Sequence, residues 1–193
     1  ILRTLRINLS VRGYEVFTAA SGAEALSKAA DHRPDVVVLD LEDAVAPEAK
    51  CEARGAAVEA VRSGGFGGRV AVRVNALGTQ WGEADLVALG DLALDFIVAP
   101  KVEDPGIVDA YGARMSEATR LIAMIETPRA LMALAAIGGA GQPLVGLMLG
   151  VNDLTRTLGI GGCRDREPLR PWLAATVATA RAHGLFAIDG VFN

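Results

Sequence analysis

Val36 to Val45 reads VVVLDLEDAV: four apolar residues in a row, then Asp40, Glu42 and Asp43 within four positions. A strand with one face in water alternates apolar and polar residues. An unbroken apolar run of this length is what a strand covered on both faces requires, and such strands belong to parallel sheets. The pattern returns in VAVRVNA (70–76), DFIVAPKV (95–102), LIAMIET (121–127), LVGLMLG (144–150) and LFAIDGV (185–191), with helical or loop segments of crossover length between them. One such segment, SGAEALSKAADHRPD, opens on a capping box of Ser21 and Glu24 and closes before Pro34. At the amino end, Leu2, Leu5 and Leu9 share one helical face that stops at Gly13, and YEVFTAA (14–20) reads as a further strand. The class is α/β. Two architectures offer such a sheet, the open doubly wound fold and the closed (β/α)8 barrel, and both place functional groups at the carboxyl ends of the strands.

Those ends carry a repeated event. VVVLDL runs into Glu42 and Asp43, VAVRVNA holds Arg73 and Asn75, and DFIVAPKV holds Lys101 followed by Glu103. LIAMIET contains Glu126, the LVGLMLG strand leads into Asn152 and Asp153, and LFAIDGV holds Asp189. A single charge after an apolar strand marks no more than the point where the chain reaches water. Six in succession point to a common site if the strands are parallel neighbours. The charges at the opposite ends, Arg69, Asp95 and Arg120, precede their strands and are read as structural.

The residue types narrow the chemistry. Glu42, Asp43, Glu126, Asp153 and Asp189 are oxygen donors, and neither cysteine nor histidine stands at a strand end. An all-oxygen set favours Mg2+ or Mn2+ over zinc. Magnesium takes one or two carboxylates and completes its shell with water and substrate oxygens, so not all of these acids can be ligands. Arg73 offers a planar fork for a substrate carboxylate, where Lys101 offers a point charge. No G-x-S-x-G elbow, H-E-x-x-H pair or G-x-x-x-x-G-K-[ST] loop is present, and the glycine groups at 64–68 and 159–162 read as turns.

The chain is 193 residues long and 51% hydrophobic, enough for one substantial core. A net charge of -4 without a basic stripe offers no electrostatic footprint for nucleic acid, and none is expected as a partner. Cys51 and Cys163 fit no metal spacing and no disulfide framework, which suits a reducing cytoplasm. Residues 130–151 are uncharged and long enough to cross a bilayer, but GGAGQP divides them, and the expectation is a helix and a buried strand rather than a membrane span. The chain begins at Ile1 without a methionine and stops directly after a strand-like segment, as a fragment would.

From about Val36 to Asn193 the chain resembles the citrate lyase beta subunit and its relatives in the HpcH/HpaI aldolase family. These are Mg2+-dependent carbon-carbon lyases on a TIM barrel, many acting on CoA thioesters. The resemblance rests on LDLEDAVAPEAK, VRVNALGTQWGEADL, APKVEDP, AMIETPRAL, LGVNDLTRTLG and AIDGVFN, which stand in the family's order. It implies that Glu126 of IETP and Asp153 of NDL are magnesium ligands and that Arg73 of VRVN holds a substrate carboxylate. It further implies that Glu42 and Asp43 form a catalytic acidic pair near metal and acyl group, with Lys101 and Asp189 in substrate binding. The implied reaction is a retro-Claisen or aldol-type cleavage of a citryl-CoA- or malyl-CoA-like thioester, with a 4-hydroxy-2-oxo acid as the alternative substrate. Family members assemble as trimers or hexamers, so a homo-oligomer is expected.

Residues 1 to about 41 resemble instead the receiver domain of an OmpR-type response regulator, with Asp40 at the phospho-acceptor position. The receiver's early acidic pair, later Thr/Ser and late Lys have no counterparts. On this reading a flavodoxin-like α-β-α segment, residues 1–35, replaces the first βα unit of a barrel portion, residues 36–193, within one structural domain. The barrel is expected to be incomplete, with about seven parallel strands. Beside the lyase stand two other readings, a phospho-accepting regulatory module at Asp40 and a catalytically inactive hybrid.

Overall fold

The computed structural model describes Phe17 and residues 19–160 and 166–190. The proposed first helix, most of the YEVFTAA strand and Cys163 lie outside the described residues. Six parallel strands follow one another in the sheet in chain order: β1 (Val36–Asp40), β2 (Arg69–Arg73), β3 (Phe96–Ala99), β4 (Arg120–Ile125), β5 (Leu144–Leu149) and β6 (Phe186–Ile188). Sequential order without reversal is the winding of a barrel, not of a flavodoxin-like sheet, which reverses at a switch point. The described residues form a curled half-barrel in which β1 and β6 each pair on one side only, so the expected seven strands are six here and no closed TIM barrel is formed among them.

The helices are α1 (Gly22–His32), α2 (Lys50–Ser63), α3 (Gly82–Leu89), α4 (Pro105–Gly112), α5 (Pro128–Met132), α6 (Leu134–Gly138), α7 (Val151–Thr157) and α8 (Arg170–Ala182). Ser21 and Glu24 cap α1, with the return bond from Glu24 falling one residue before the N-cap. Ser21 Oγ accepts from Glu24 N at 3.2 Å, and Glu24 Oε2 accepts from Ala20 N at 2.7 Å. Asp104 and Thr127 cap α4 and α5 in the same manner. The uncharged stretch 130–151 divides into parts of α5 and α6, a turn through Gly141, then β5, and among the described residues no helix is long and apolar enough to cross a membrane.

Parallel partners in register project to the same face. Val36, Val38 and Asp40 therefore share a side with Ala71 and Arg73, Phe96 and Val98, Ile122 and Met124, Gly146 and Met148, and Phe186 and Ile188. Ala71, Phe96, Val98, Ile122 and Met124 cluster there as the lining of the curl. The opposite face, with Val72, Ile97, Ala99, Leu121, Ala123, Ile125, Leu147 and Leu149, packs under the helices as the main core. Val36 and Val38 remain 44% and 48% exposed, and among the described residues β1 has a neighbour on one side only.

Gly146 shows how tightly the lining is fitted. It lies in register with Phe186, and a Cβ at this position would stand 2.3 Å from Phe186 Cε2. The ring fills the room that the glycine leaves. Gly146→Ala should therefore push β6 outward and cost about 1–3 kcal/mol, read as a lower urea midpoint at unchanged slope.

Candidate active site

The carboxyl ends of β1 to β5 converge on one cluster built around Arg73, the last residue of β2. Register places Asp40 directly beside it on the same face. Arg73 Nε donates to Asp40 Oδ1 at 2.8 Å and Nη2 to Asp40 Oδ2 at 2.5 Å. Nη1 stands 3.2 Å from Glu42 Oε2 and 3.7 Å from Asp43 Oδ2, with Met124 Sδ at 3.9 Å. Burial opposes the charge on Arg73, but Asp40, Glu42 and Asp43 outweigh it and hold the guanidinium firmly protonated. The fork read from sequence as free for substrate is therefore half committed: its Nε–Nη2 edge is taken by Asp40, and Nη1 is turned toward the acidic pair.

Asp40 does not have the environment of a phospho-acceptor. Besides Arg73, its Oδ1 accepts from Glu42 N at 2.8 Å and its Oδ2 from Ala44 N at 3.2 Å, so both oxygens are engaged. Burial works against its charge, yet Arg73 and these N–H groups hold its carboxyl below the usual range. Attack on phosphorus needs a carboxylate oxygen with a lone pair to spare, so the regulatory reading of Asp40 is corrected to a structural pairing.

Glu42 is 7% exposed and stands between two cations. Its Oε1 accepts from Lys101 Nζ at 3.2 Å, and its Oε2 faces Arg73 without a hydrogen bond among the described residues. Burial raises its carboxyl, Asp43 adds to the rise, and Lys101 and Arg73 pull it back only in part. Lys101 is held charged by Glu42 against its own burial. Its backbone takes a left-handed φ of 52°, which turns its N–H onto Glu126 Oε1 at 2.8 Å. Lys101 therefore joins the two acids, one through its side chain and one through its backbone.

Glu126 follows β4 and is 1% exposed. Burial, then Glu42 and Asp153, push its carboxyl up to about 7, although the Lys101 N–H and ammonium pull the other way. Gly150 makes the space for it: a Cβ there would lie 2.3 Å from Glu126 Cβ and 2.6 Å from its Oε2. Asp153, in the first turn of α7, is paired in this structure with Arg156. Among the described residues no group of three or more His, Cys, Asp or Glu side chains is placed to cage an ion. A pair of carboxylates crowded enough to raise a pKa does suit a divalent cation that keeps water and substrate oxygens in its shell, as Mg2+ does.

Asp189, after β6, is engaged elsewhere: Arg166 grips it with Nη1 at 2.9 Å and Nη2 at 2.6 Å and lowers its pKa. The amino-end charges serve the scaffold. Arg69 lies over the Phe96 ring at 5.6 Å, Asp95 Oδ2 accepts from Val70 N at 2.9 Å, and Arg120 bonds Glu117 O.

Several site-building residues escaped the sequence reading. Lys50, 6% exposed, donates to the carbonyls of Leu41 at 2.7 Å and Glu42 at 2.6 Å and so anchors the acidic loop from α2. Asp85 and Arg54 also escaped it: Asp85 holds Arg54 and Asn75, and Asn75, which the sequence did mark at its strand end, holds the Leu41 carbonyl through Nδ2 at 2.9 Å. Lys50 closes the LDLEDAVAPEAK motif, so a signal for it existed. For Arg166 there was none.

Fold and cluster together define a class: a parallel βα half-barrel whose strand ends gather carboxylates around one arginine and one lysine. Its relatives fix the family. The model of the HpcH/HpaI aldolase/citrate lyase family matches residues 14–193, and the chain belongs to that family. It is 36% identical over 179 residues to a (3S)-malyl-CoA thioesterase of Cereibacter sphaeroides strain KD131, covering 92% of this chain and 62% of the relative. To an L-malyl-CoA/beta-methylmalyl-CoA lyase of strain ATCC 17025 it is 32% identical over 209 residues, covering 93% of this chain and 66% of the relative. The chain thus spans less than two thirds of the length of both relatives. Among solved structures, the citrate lyase beta subunit of M. tuberculosis complexed with oxaloacetate and magnesium superposes with a TM-score of 0.72 at 34% identity, covering 86% of this chain and 73% of that one. The family match takes in most of the segment read as receiver-like, and nothing in these likenesses supports a receiver origin for it.

Glu126 makes a pH prediction. Its pKa is about 7 in the folded chain against an ordinary 4.5. Below about 4.5 it is protonated folded or unfolded; as pH rises through 7 the folded chain must hold a charge that the unfolded chain carries more easily, and stability falls. Urea melts in chelator from about pH 5 to about pH 8 should show a loss of order 3 kcal/mol that is absent in Glu126→Gln and reduced by added Mg2+.

Proposed function

We propose that this chain is the barrel portion of an Mg2+-dependent carbon-carbon lyase that cleaves a malyl-CoA- or citryl-CoA-like thioester. The observation that carries the reading is the placement of buried Glu126, crowded by Asp153 and Glu42, against Lys101, whose side chain pairs with Glu42 and through it adjoins Arg73. Glu126 and Asp153 would hold the metal. When bound, Mg2+ supplies Lewis-acid polarisation of the oxo-acid oxygens. The names of the malyl-CoA relatives support a CoA ester as substrate, and the magnesium and oxaloacetate of the citrate lyase beta structure support the metal and the acid.

The chain's own residues account for the remaining needs of a retro-Claisen cleavage. A proton leaves the hydroxyl next to the breaking bond, the bond's electron pair passes to the carbon alpha to the thioester carbonyl as an enolate, and a proton returns to that alpha carbon. Arg73 Nη1, the end of the guanidinium not gripped by Asp40 and turned toward Glu42 and Asp43, is proposed to bind the carboxylate end of the acid and fix its orientation. Glu42, with its carboxyl raised by burial, is suited to carry the proton, since a base works best when its pKa approaches the working pH. Lys101 Nζ, 3.2 Å from Glu42, limits that rise and adds positive charge where negative charge develops. Asp43, 60% exposed, faces the solvent side of the cluster and completes the acidic pair.

A second reading has its own support. The thioesterase relative shares 36% identity, so the same site is proposed to run hydrolysis in place of bond cleavage if water reaches the thioester. Products separate the two: a lyase releases an oxo acid and leaves acetyl-CoA, whereas hydrolysis releases free CoA thiol and malate. Release of pyruvate from a 4-hydroxy-2-oxo acid would identify an aldolase.

Mg2+ is expected to raise the melting temperature by a few degrees, and Glu126→Gln and Asp153→Asn are each expected to abolish that shift. A shift preserved in both variants removes the metal assignment. With malyl-CoA or citryl-CoA, oxo-acid release is the expected result, and Arg73→Lys should lower kcat/KM by about two orders of magnitude through loss of bidentate geometry. A folded chain that binds Mg2+ but turns over none of these substrates would be a catalytically inactive member of the family.

A further inference from the structure

Asp40 lies at the centre of the cluster, yet the reaction sketched above gives it no step. Its carboxylate accepts four hydrogen bonds, two on each oxygen. Oδ1 takes Arg73 Nε and the Glu42 N–H, both at 2.8 Å, and Oδ2 takes Arg73 Nη2 at 2.5 Å and the Ala44 N–H at 3.2 Å. The first of each pair of partners crosses from β2, and the second comes from the turn that carries Glu42 and Asp43. Both groups of donors therefore converge on one side chain.

We infer that Asp40 is a positioning residue, a single carboxylate that sets the orientation of the Arg73 guanidinium and the course of the Glu42–Ala44 turn together. Free arginine side chains sample many rotamers, and one placed before several acids would collapse onto whichever lay nearest. Asp40 prevents this by gripping the Nε–Nη2 edge bidentately, which leaves Nη1 as the end presented toward Glu42 and Asp43. The turn N–H groups fix the same carboxylate from the other side, so arginine and acidic pair keep one relative geometry. Register makes the arrangement possible, since Asp40 and Arg73 are parallel partners at the carboxyl ends of β1 and β2. A longer acid could not meet all four donors from the same Cα. An asparagine would turn an N–H2 against donors and lose the bonds on that oxygen.

The consequence for turnover rests on the proposed lyase reading; the pairing itself does not, and two readouts keep them apart. The first is the 15N–1H signal of the Arg73 side-chain Nε, followed by NMR exchange in the full chain. It should exchange slowly in the wild type and at least about tenfold faster in Asp40→Asn. The second is kcat/KM for malyl-CoA or citryl-CoA with Mg2+ in wild type, Asp40→Asn, Arg73→Lys and the double variant. Asp40→Asn should lose about tenfold or more, and adding it to Arg73→Lys should cost much less than that, because both changes damage one arrangement. Unchanged exchange in Asp40→Asn overturns the inference. So does a lost signal with kcat/KM unaltered, or full multiplication of the two single losses. A wild type without turnover whose Arg73 signal still depends on Asp40 overturns the proposed function and upholds the positioning role.

Discussion

Arg73 is the cation against which the carboxyl end of this half-barrel is arranged. Asp40, Glu42 and Asp43 would repel one another if they were brought this close without it, and Glu42 and Asp40 are both largely buried. A buried charge deprived of its partner costs several kcal/mol, so the acidic turn can occupy its place only while the guanidinium is there. The dependence runs both ways. Desolvation alone would disfavour the arginine, and the acids restore its charge.

The backbone around this pairing is held by groups that make no claim on chemistry. Lys50 takes the Leu41 and Glu42 carbonyls, Asn75 takes the Leu41 carbonyl again, and Asp85 ties Asn75 to Arg54. Loops that carry functional groups have few backbone partners of their own, and side chains from the start of α2 and from the segment after β2 supply them here. On the other side of the cluster, Gly150 gives Glu126 the volume it fills and Lys101 bends to hand it an N–H. The outcome is two acidic regions, one neutralised by Arg73 and Lys101 and one, at Glu126, whose charge is opposed by burial and by Glu42 and Asp153.

This division of charge is compatible with either reaction named among the relatives. Bond cleavage and thioester hydrolysis on malyl-CoA both need a held carboxylate and a polarised oxygen, and they differ in whether water is admitted.

Much was legible in the order of residues. Continuous apolar runs announced a parallel sheet because covered strands leave no polar face, and the acids after them marked its carboxyl edge, as β1 to β6 bear out. Ser21 and Glu24 announced a helix start because capping is local chemistry. What sequence alone misjudged were properties that distant residues decide. Asp40 looked like a free acceptor until the register brought Arg73 beside it, 33 residues away. Arg73 looked like an open fork until Asp40 took one edge. Asp189 looked like part of the central cluster until Arg166 engaged it across 23 residues. Sequence by itself determined the residue types, the strand period and the family, since these are carried by neighbours in the chain. Only the tertiary structure decided which charges are spent on one another and which remain for a ligand, because electrostatic partnership depends on distance and burial in space.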